Sequence, residues 1–345
     1  MRTFFCLTVA LILFFATQGF SQSNAQDVTS IDRVGTTAAQ FLKIGAGARP
    51  IAMGGAYTAL SNDILSTYWN PAGLSRIAGT GEATFNHSEW LAETNYDFAA
   101  FSINVGTVGS FGAQVISFGT PEQPVRTVRN PDGTGQFWDA NSIALGVTYA
   151  RNLTDRFSIG FTAKFVQESI FNVRALGAAF DLGVLYDTPL QNLTLGATIT
   201  NFGTKMSLGG RDIFFNEDPL PEDGTVDQVP GEFRTDSFEM PLNLRFGLAW
   251  RVMSNETFKV VASADGTQPN DNNEFLNGGI EVGIRNTLFL RGGYKALFLE
   301  NSEQGVTFGA GLKYDTVGLN LRIDFAWADY GRLDDVKFVT FSVRY

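Results

Sequence analysis

Past its first few residues the sequence has no cysteine: the one cysteine is Cys6, inside an apolar leader. The rest of the chain therefore offers no disulfide, no thiol nucleophile and no cysteine-based metal site. There is one histidine, His87, so a catalytic or metal centre built from several imidazoles is excluded. Beyond the leader no apolar run reaches the ~18 residues that a membrane helix needs. Lysine and arginine number 25 against 35 aspartates and glutamates, and no basic run occurs. A nucleic-acid partner is argued against, because neutralising phosphates takes clustered positive charge. Charge is scarce altogether, at 17% of 345 residues, while 13% are aromatic and 37 are glycine. A membrane-crossing β-barrel combines these features: an apolar outer face and an inner face of small or polar residues.

The N-terminus reads as a signal peptide of residues 1–25. Arg2 supplies the positive start, residues 4–16 the apolar run, and Ser23-Asn24-Ala25 a small-x-Ala cleavage site. Cleavage after Ser21 is the alternative, and a single-span anchor is the competing reading of the leader. Cys6 lies too early in the run to be a lipoprotein cysteine.

From residue 82 onward the sequence alternates, many times over. Leu319, Leu321, Ile323, Phe325 and Trp327 fall on one face; Asn320, Arg322, Asp324 and Ala326 fall on the other. Leu242, Leu244, Phe246, Leu248 and Trp250 alternate with Asn243, Arg245, Gly247, Ala249 and Arg251. Successive strand side chains point to opposite faces, so one face is aliphatic and aromatic and the other carries glycine, hydroxyls and isolated charges. The alternation predicts about fourteen strands, over 82–90, 95–105, 107–119, 136–150, 155–168, 174–187, 190–203, 240–253, 256–265, 273–285, 287–297, 304–315, 317–328 and 335–345. The fold expected is an all-β transmembrane antiparallel barrel over 82–345, preceded by an N-terminal hatch or plug over 26–81.

The connections check this independently. Links after every second strand are short (Gly106, Asn152-Leu153-Thr154, Thr188-Pro189, Ser254-Asn255, Asn286, Thr316), and the alternate links are long: 120–135, 204–239, 266–272, 298–303 and 329–334. Short turns on one rim and long loops on the other is the outer-membrane arrangement, with both chain ends on the periplasmic side. The chain closes on Val339, Phe341, Val343 and Tyr345 on one face; this pattern looks like the C-terminal signal read by barrel-assembly machinery, or an ordinary last strand.

Several residues are expected inside the lumen. Lys164, Asp181, Arg245, Arg251, Glu281, Arg285, Arg291, Lys313, Arg322 and Asp324 occupy inward positions, where charge is tolerated only if it faces water or another charge. His87, next to Ser88 and Glu89, reads as a structural strand residue, and no enzyme activity is expected. Gly45-x-Gly47 follows no apolar strand and opens no helix, so it is not a dinucleotide loop. The polar run 266–274 lacks the ligand spacing of a calcium loop and reads as a solvated surface loop. The 204–239 loop is acidic, yet it also carries Ile213, Phe214, Phe215 and Phe233, so it either covers the barrel mouth, meets a partner, or is simply solvated.

The segment before the strands has a different grammar: Gly47-Ala48-Arg49, Met53-Gly54-Gly55-Ala56, Asp63, and Trp69-Asn70-Pro71-Ala72-Gly73. Glycine and alanine allow close backbone packing inside a lumen. Asn70-Pro71 cannot continue a helix. These ordered elements resemble the N-terminal signature of the PorV/PorQ family, which is related to FadL- and TodX-type outer-membrane transporters. The resemblance implies a fourteen-stranded barrel with a hatch formed by these residues, located in the bacterial outer membrane among its lipids, with no cofactor and no metal. PorV- and PorQ-like members serve type IX secretion, which would make secretion-system proteins or secreted cargo the partners. FadL-like members pass hydrophobic small molecules, which would make such a molecule the ligand. A purely structural barrel is the third possibility.

Overall fold

The strand periodicity closes into one sheet. The computed structural model describes residues 33–217 and 229–345; the expected signal peptide, its cleavage points and Cys6 lie outside the described residues. Fourteen long strands run in chain order: β1 (Gly81–Glu89), β2 (Asn95–Asn104), β3 (Ser110–Gly119), β4 (Ala140–Asn152), β5 (Phe157–Ile170), β6 (Val173–Asp187) and β7 (Leu193–Gly203). The second half holds β8 (Asn243–Ser254), β9 (Phe258–Pro269), β10 (Phe275–Ile284), β11 (Leu288–Leu297), β12 (Val306–Thr316), β13 (Leu319–Asp329) and β14 (Asp335–Arg344). Each pairs antiparallel with the next, and β14 pairs back onto β1 with Phe341 opposite Phe85. Closure removes both sheet edges, so every strand's backbone groups are satisfied within the wall, as a lipid environment demands. The seam is reinforced where the Tyr345 carbonyl accepts from the amides of Thr80 (2.8 Å) and Gly81 (3.1 Å).

The two faces separate as expected. Phe85, Phe246, Leu248, Phe308, Leu312 and Ile323 stand exposed on the outside, while Thr84, Arg245, Thr307 and Asp324 are buried on the inside. Exposed apolar side chains over the whole girth are what lipid, not water, stabilises. No helix among the described residues is long and apolar enough to cross a membrane.

Three expectations need correction. Arg285 does not face the lumen: it lies exposed in the three-residue β10–β11 turn (285–287), where Arg285 (φ 49°) and Asn286 (φ 55°) are both left-handed, a conformation that tight hairpin turns adopt. The 266–274 run is not wholly a solvated loop. Its first four residues extend β9, because Asn243 and Thr267 have strand partners in Pro269 and Phe275, and pairing on both sides outweighs a turn-like composition. Asp271 is buried by the hatch. The short-turn parity also has an exception at Phe171-Asn172, a two-residue link on the long-loop rim.

Candidate functional site

The chain before β1 fills the barrel. It begins at the long-loop rim, where the Ala38 amide donates to the Glu239 carbonyl (2.9 Å) and the Ala39 amide to the Glu168 carboxylate (3.0 Å). A short 3₁₀ turn (Gln40–Lys43) leads to helix α1 (Ala48–Ala52), an irregular stretch, helix α2 (Ser66–Trp69) and a second 3₁₀ turn (Pro71–Arg76) at the short-turn rim. Asn70 ends α2 in an extended conformation (φ −157°, ψ 104°), and its side-chain oxygen accepts from the Ala72 amide, starting the next turn. Its amide group donates to the carbonyls of Thr58 (2.8 Å) and Val184 of β6 (3.1 Å), tying the hatch to the wall. Ile51, Met53, Tyr57, Ile64 and Leu74 are fully buried, each contributing about 1.5–3 kcal/mol of apolar transfer.

The lumen wall is cut to this shape by glycine. A side chain on Gly160 of β5 would collide with the Pro71-Ala72 backbone, and one on Gly183 of β6 with Asn70. Gly196 and Gly247 lie against Thr58-Ala59, Gly279 and Gly293 against Met53-Gly54, and Gly309 against Ala52. Hatch backbone thus lies directly on the wall at β5, β7, β8, β10 and β11. Gly54 needs its own lack of a side chain: it has φ +66°, and a Cβ there would stand 2.5 Å from the Tyr294 carbonyl oxygen.

A buried ion network locks the hatch to β10, β11 and β13. The Arg49 guanidinium bonds both Glu281 oxygens at 2.9 Å through Nε and Nη2. Its Nη1 reaches Asp63 (2.9 Å), the Tyr57 hydroxyl (2.8 Å) and Asn62 (2.9 Å). Glu281 also accepts from Arg291 (2.7 Å), which donates to Asp324 (2.8 Å), and Arg322 sits 2.7 Å from that same carboxylate. Three guanidiniums meet three carboxylates, so the cluster is neutral as a whole. Burial opposes the charge on Arg49, but Glu281, Tyr57 and Asp63 outweigh it and hold its pKa well above the usual value. Burial likewise opposes the Asp63 carboxylate, and Arg49 reverses that and holds its pKa below the usual value.

Two further anchors complete the lock. Asp265 of β9 accepts from the amides of Tyr57 (2.9 Å) and Thr58 (2.8 Å). At the long-loop rim Lys43 contacts both oxygens of Asp271 (2.7 and 2.8 Å), which Gln40 and Thr37 also reach. Lys164 pairs with Asp181 across the lumen side of β5 and β6 (2.8 Å), and Arg245 lies 5.0 Å over the Trp69 ring.

Every residue of the hatch motif is therefore in one place. Gly47 turns into α1 with φ 87°, the Ala48 amide donates to Thr340 of β14 (2.7 Å), and Arg49 is the network's hub. Met53 and Gly54 press against the glycine wall, Gly55 lies near Asn277 and Trp69, and Asp63 holds Arg49. Trp69 donates from its indole to the Ala46 carbonyl (2.8 Å), and Gly73 abuts Ser61 while Pro71 and Ala72 meet Gly160. Sequence reasoning missed Tyr57, Asp265 and Asp271 as partners. Asp265 could have been found, since an acid at an inward position must find a donor.

His87 and Ser88 face opposite sides of β1, so they do not assemble with an acid into one unit; His87 instead meets Asp97 of β2 on the outer face (2.7 Å). The long loop does two things. Its base is inserted, with Met206 and Met240 buried against Gly177 of β6. Its strands Phe214–Glu217 and Val229–Glu232 pair antiparallel, and Phe214 and Phe233 are exposed. Asp218, Glu222, Asp223 and Asp227 lie outside the described residues.

Residues 27–182 match the family described as the type IX secretion system protein PorV. The match covers rather less than half of the chain. That stretch runs through the hatch and into β6, and it bears out the resemblance drawn from Gly47-Ala48-Arg49 and Trp69-Asn70-Pro71. Among solved structures, the toluene transporter TodX of Pseudomonas putida matches with a TM-score of 0.56 at 16% identity, covering 87% of this chain and 97% of that one. The toluene transporter TbuX of Ralstonia pickettii gives 0.53 at 16% identity, covering 87% and 97%. The monoaromatic hydrocarbon channel CymD gives 0.52 at 11% identity, covering 87% and 96%. At such identities these likenesses establish the fold of an outer-membrane barrel. No curated protein matches the chain.

Proposed function

We propose that this chain is a non-catalytic component of type IX protein secretion, exported by its leader, which receives or attaches protein cargo at the outer membrane. The observation that carries the reading is the lock on the lumen. Hatch backbone lies on a glycine wall, and Arg49 ties it to Glu281 with two buried hydrogen bonds. Opening a path through such a barrel means breaking a buried charge pair, at about 3–5 kcal/mol. The cavity that the hatch leaves, about 480 Å³, has seven arginine and lysine residues in its lining, a poor environment for a hydrocarbon. Apolar groups are presented instead at the long-loop rim, where Leu208, Phe214, Phe233 and Phe238 are exposed. Exposed aromatics rimmed by polar residues suit a protein partner. The PorV match supports the same reading.

The second reading is passage of a hydrophobic small molecule through the barrel. The fold shared with TodX and TbuX favours it. Mass spectrometry of the protein purified from detergent-extracted outer membranes separates the two. Stoichiometric proteins sharing a C-terminal domain support secretion; a bound hydrocarbon or fatty acid with no protein partner overturns it.

A further inference from the structure

The cavity below the hatch has a charge that the rest of the chain does not. The sequence carries ten more acidic than basic residues, yet of the nineteen residues lining this space seven are lysine or arginine and two, Asp187 and Glu281, are acidic. It lies at the short-turn end of the lumen. The hatch forms its roof through Arg49 and residues 59–62, and strand ends next to the short turns form its wall. The carboxylates that neutralise part of this charge stand behind the cations: Asp63 holds Arg49, Asp324 holds Arg322 and Glu82 holds Arg344, and none of these three lines the space.

Two of the cations have no acidic partner among the described residues. Arg251 of β8 makes no ion pair, and Lys259 of β9 reaches only the side-chain oxygen of Asn286, at 3.3 Å. Arg322, 15% exposed, keeps an Nη2 that donates no hydrogen bond and stands 3.8 Å from Glu281. Lys313 and Arg76 complete the rim, each held by a single carboxylate. Guanidinium forks and ammonium point charges converging on one space are the donor set for phosphate oxygens. The volume of about 480 Å³ is that of a small-ligand site, typically about 300–1,000 Å³.

We infer that this vestibule binds a phosphate-bearing anion that enters from the short-turn, periplasmic mouth, with Arg251 and Lys259 as its primary ligands. The site stands apart from the protein-partner reading above and does not depend on it. Both residues lie outside the hatch lock, so exchanging them leaves the barrel's own ion pairs intact.

The test uses the full-length protein in detergent and in nanodiscs. Inorganic pyrophosphate is the probe, titrated calorimetrically against wild type and against an Arg251→Gln/Lys259→Gln variant whose folding is verified by heat-modifiable gel mobility. Saturable binding to wild type, weakened at least ten-fold (about 1.4 kcal/mol) in the double variant and by added salt, is the result expected. Native mass spectrometry of protein taken from outer membranes identifies the source. A phospholipid retained by wild type and lost from the variant marks a headgroup as the natural ligand. Pyrophosphate binding without retained lipid marks a free phosphate compound. Absence of saturable binding to wild type, or equal binding by the variant, overturns the proposal.

Discussion

Arg49 of the hatch and Glu281 of β10 face each other in a two-bond fork, Nε to Oε2 and Nη2 to Oε1, each at 2.9 Å and both side chains under 10% exposed. The pair joins the hatch to the wall, and it is planar, so only a guanidinium fits it. Arg49→Met leaves Glu281 with Arg291 but strips Asp63 of its cation. The expected cost to hatch docking is about 3–5 kcal/mol, read as faster protease cleavage within residues 33–80 while the barrel keeps its heat-modifiable mobility. Arg49→Lys keeps the charge and loses the fork, so it should fall between the two.

Glycine substitutions test the close fit separately from charge. A side chain on Gly160 would meet the Pro71-Ala72 backbone, and one on Gly293 the Gly54 amide. Overpacking of this kind costs about 1–3 kcal/mol, and strand geometry accepts valine readily. Gly160→Val and Gly293→Val should therefore insert as barrels with a displaced hatch. Planar-bilayer recordings should show conductance absent from wild type.

The lumen's acids give the hatch a pH dependence. Asp271 is buried by the hatch, which raises its pKa, but Gln40, Lys43 and Thr37 reverse this and hold it below the ordinary 3.8; Asp63 is likewise held below that value. A depressed pKa means that the folded form binds its proton less readily than the unfolded one. The contribution is present above the ordinary aspartate range and lost as pH falls through and below it. Hatch protection from protease should decline as pH falls below about pH 4. Asp271→Asn should weaken protection at neutral pH and flatten the decline.

The outward face is tested by a charge. Phe246 of β8 is exposed on the outer face, and its neighbour Arg245 is buried in the lumen. Phe246→Arg places a charge against lipid, at a cost that rises with depth to about 2–4 kcal/mol at the bilayer midplane, and should lower the yield of inserted protein. The opposite swap, Arg245→Phe, should leave insertion largely intact.

The barrel was legible because alternation is a local property. The faces of 242–251 and 319–327 can be read without knowing any partner strand, and the link lengths sorted the rims. Strand ends were less legible: Gly266 to Pro269 read as a loop until the pairing with β8 and β10 placed them in β9. The hatch motif was legible as a unit, whereas its partners were not. Glu281 was read as lumen-facing, but nothing local pairs it with Arg49, 232 residues away. The glycines of the wall read as signs of a polar lumen; their use as a bed for hatch backbone depends on the closed fold. Arg285 was misplaced because alternation carries no marker for where a strand gives way to a left-handed turn.

Service to secreted proteins, as opposed to small-molecule passage, is tested most directly by deleting the gene and measuring two outputs in the same cells. One is the set of proteins at the cell surface and in the medium; the other is uptake of labelled toluene. A secretion role predicts loss of surface and secreted proteins with uptake unchanged, and restoration by the wild-type gene. Loss of uptake with an unchanged protein set would contradict it.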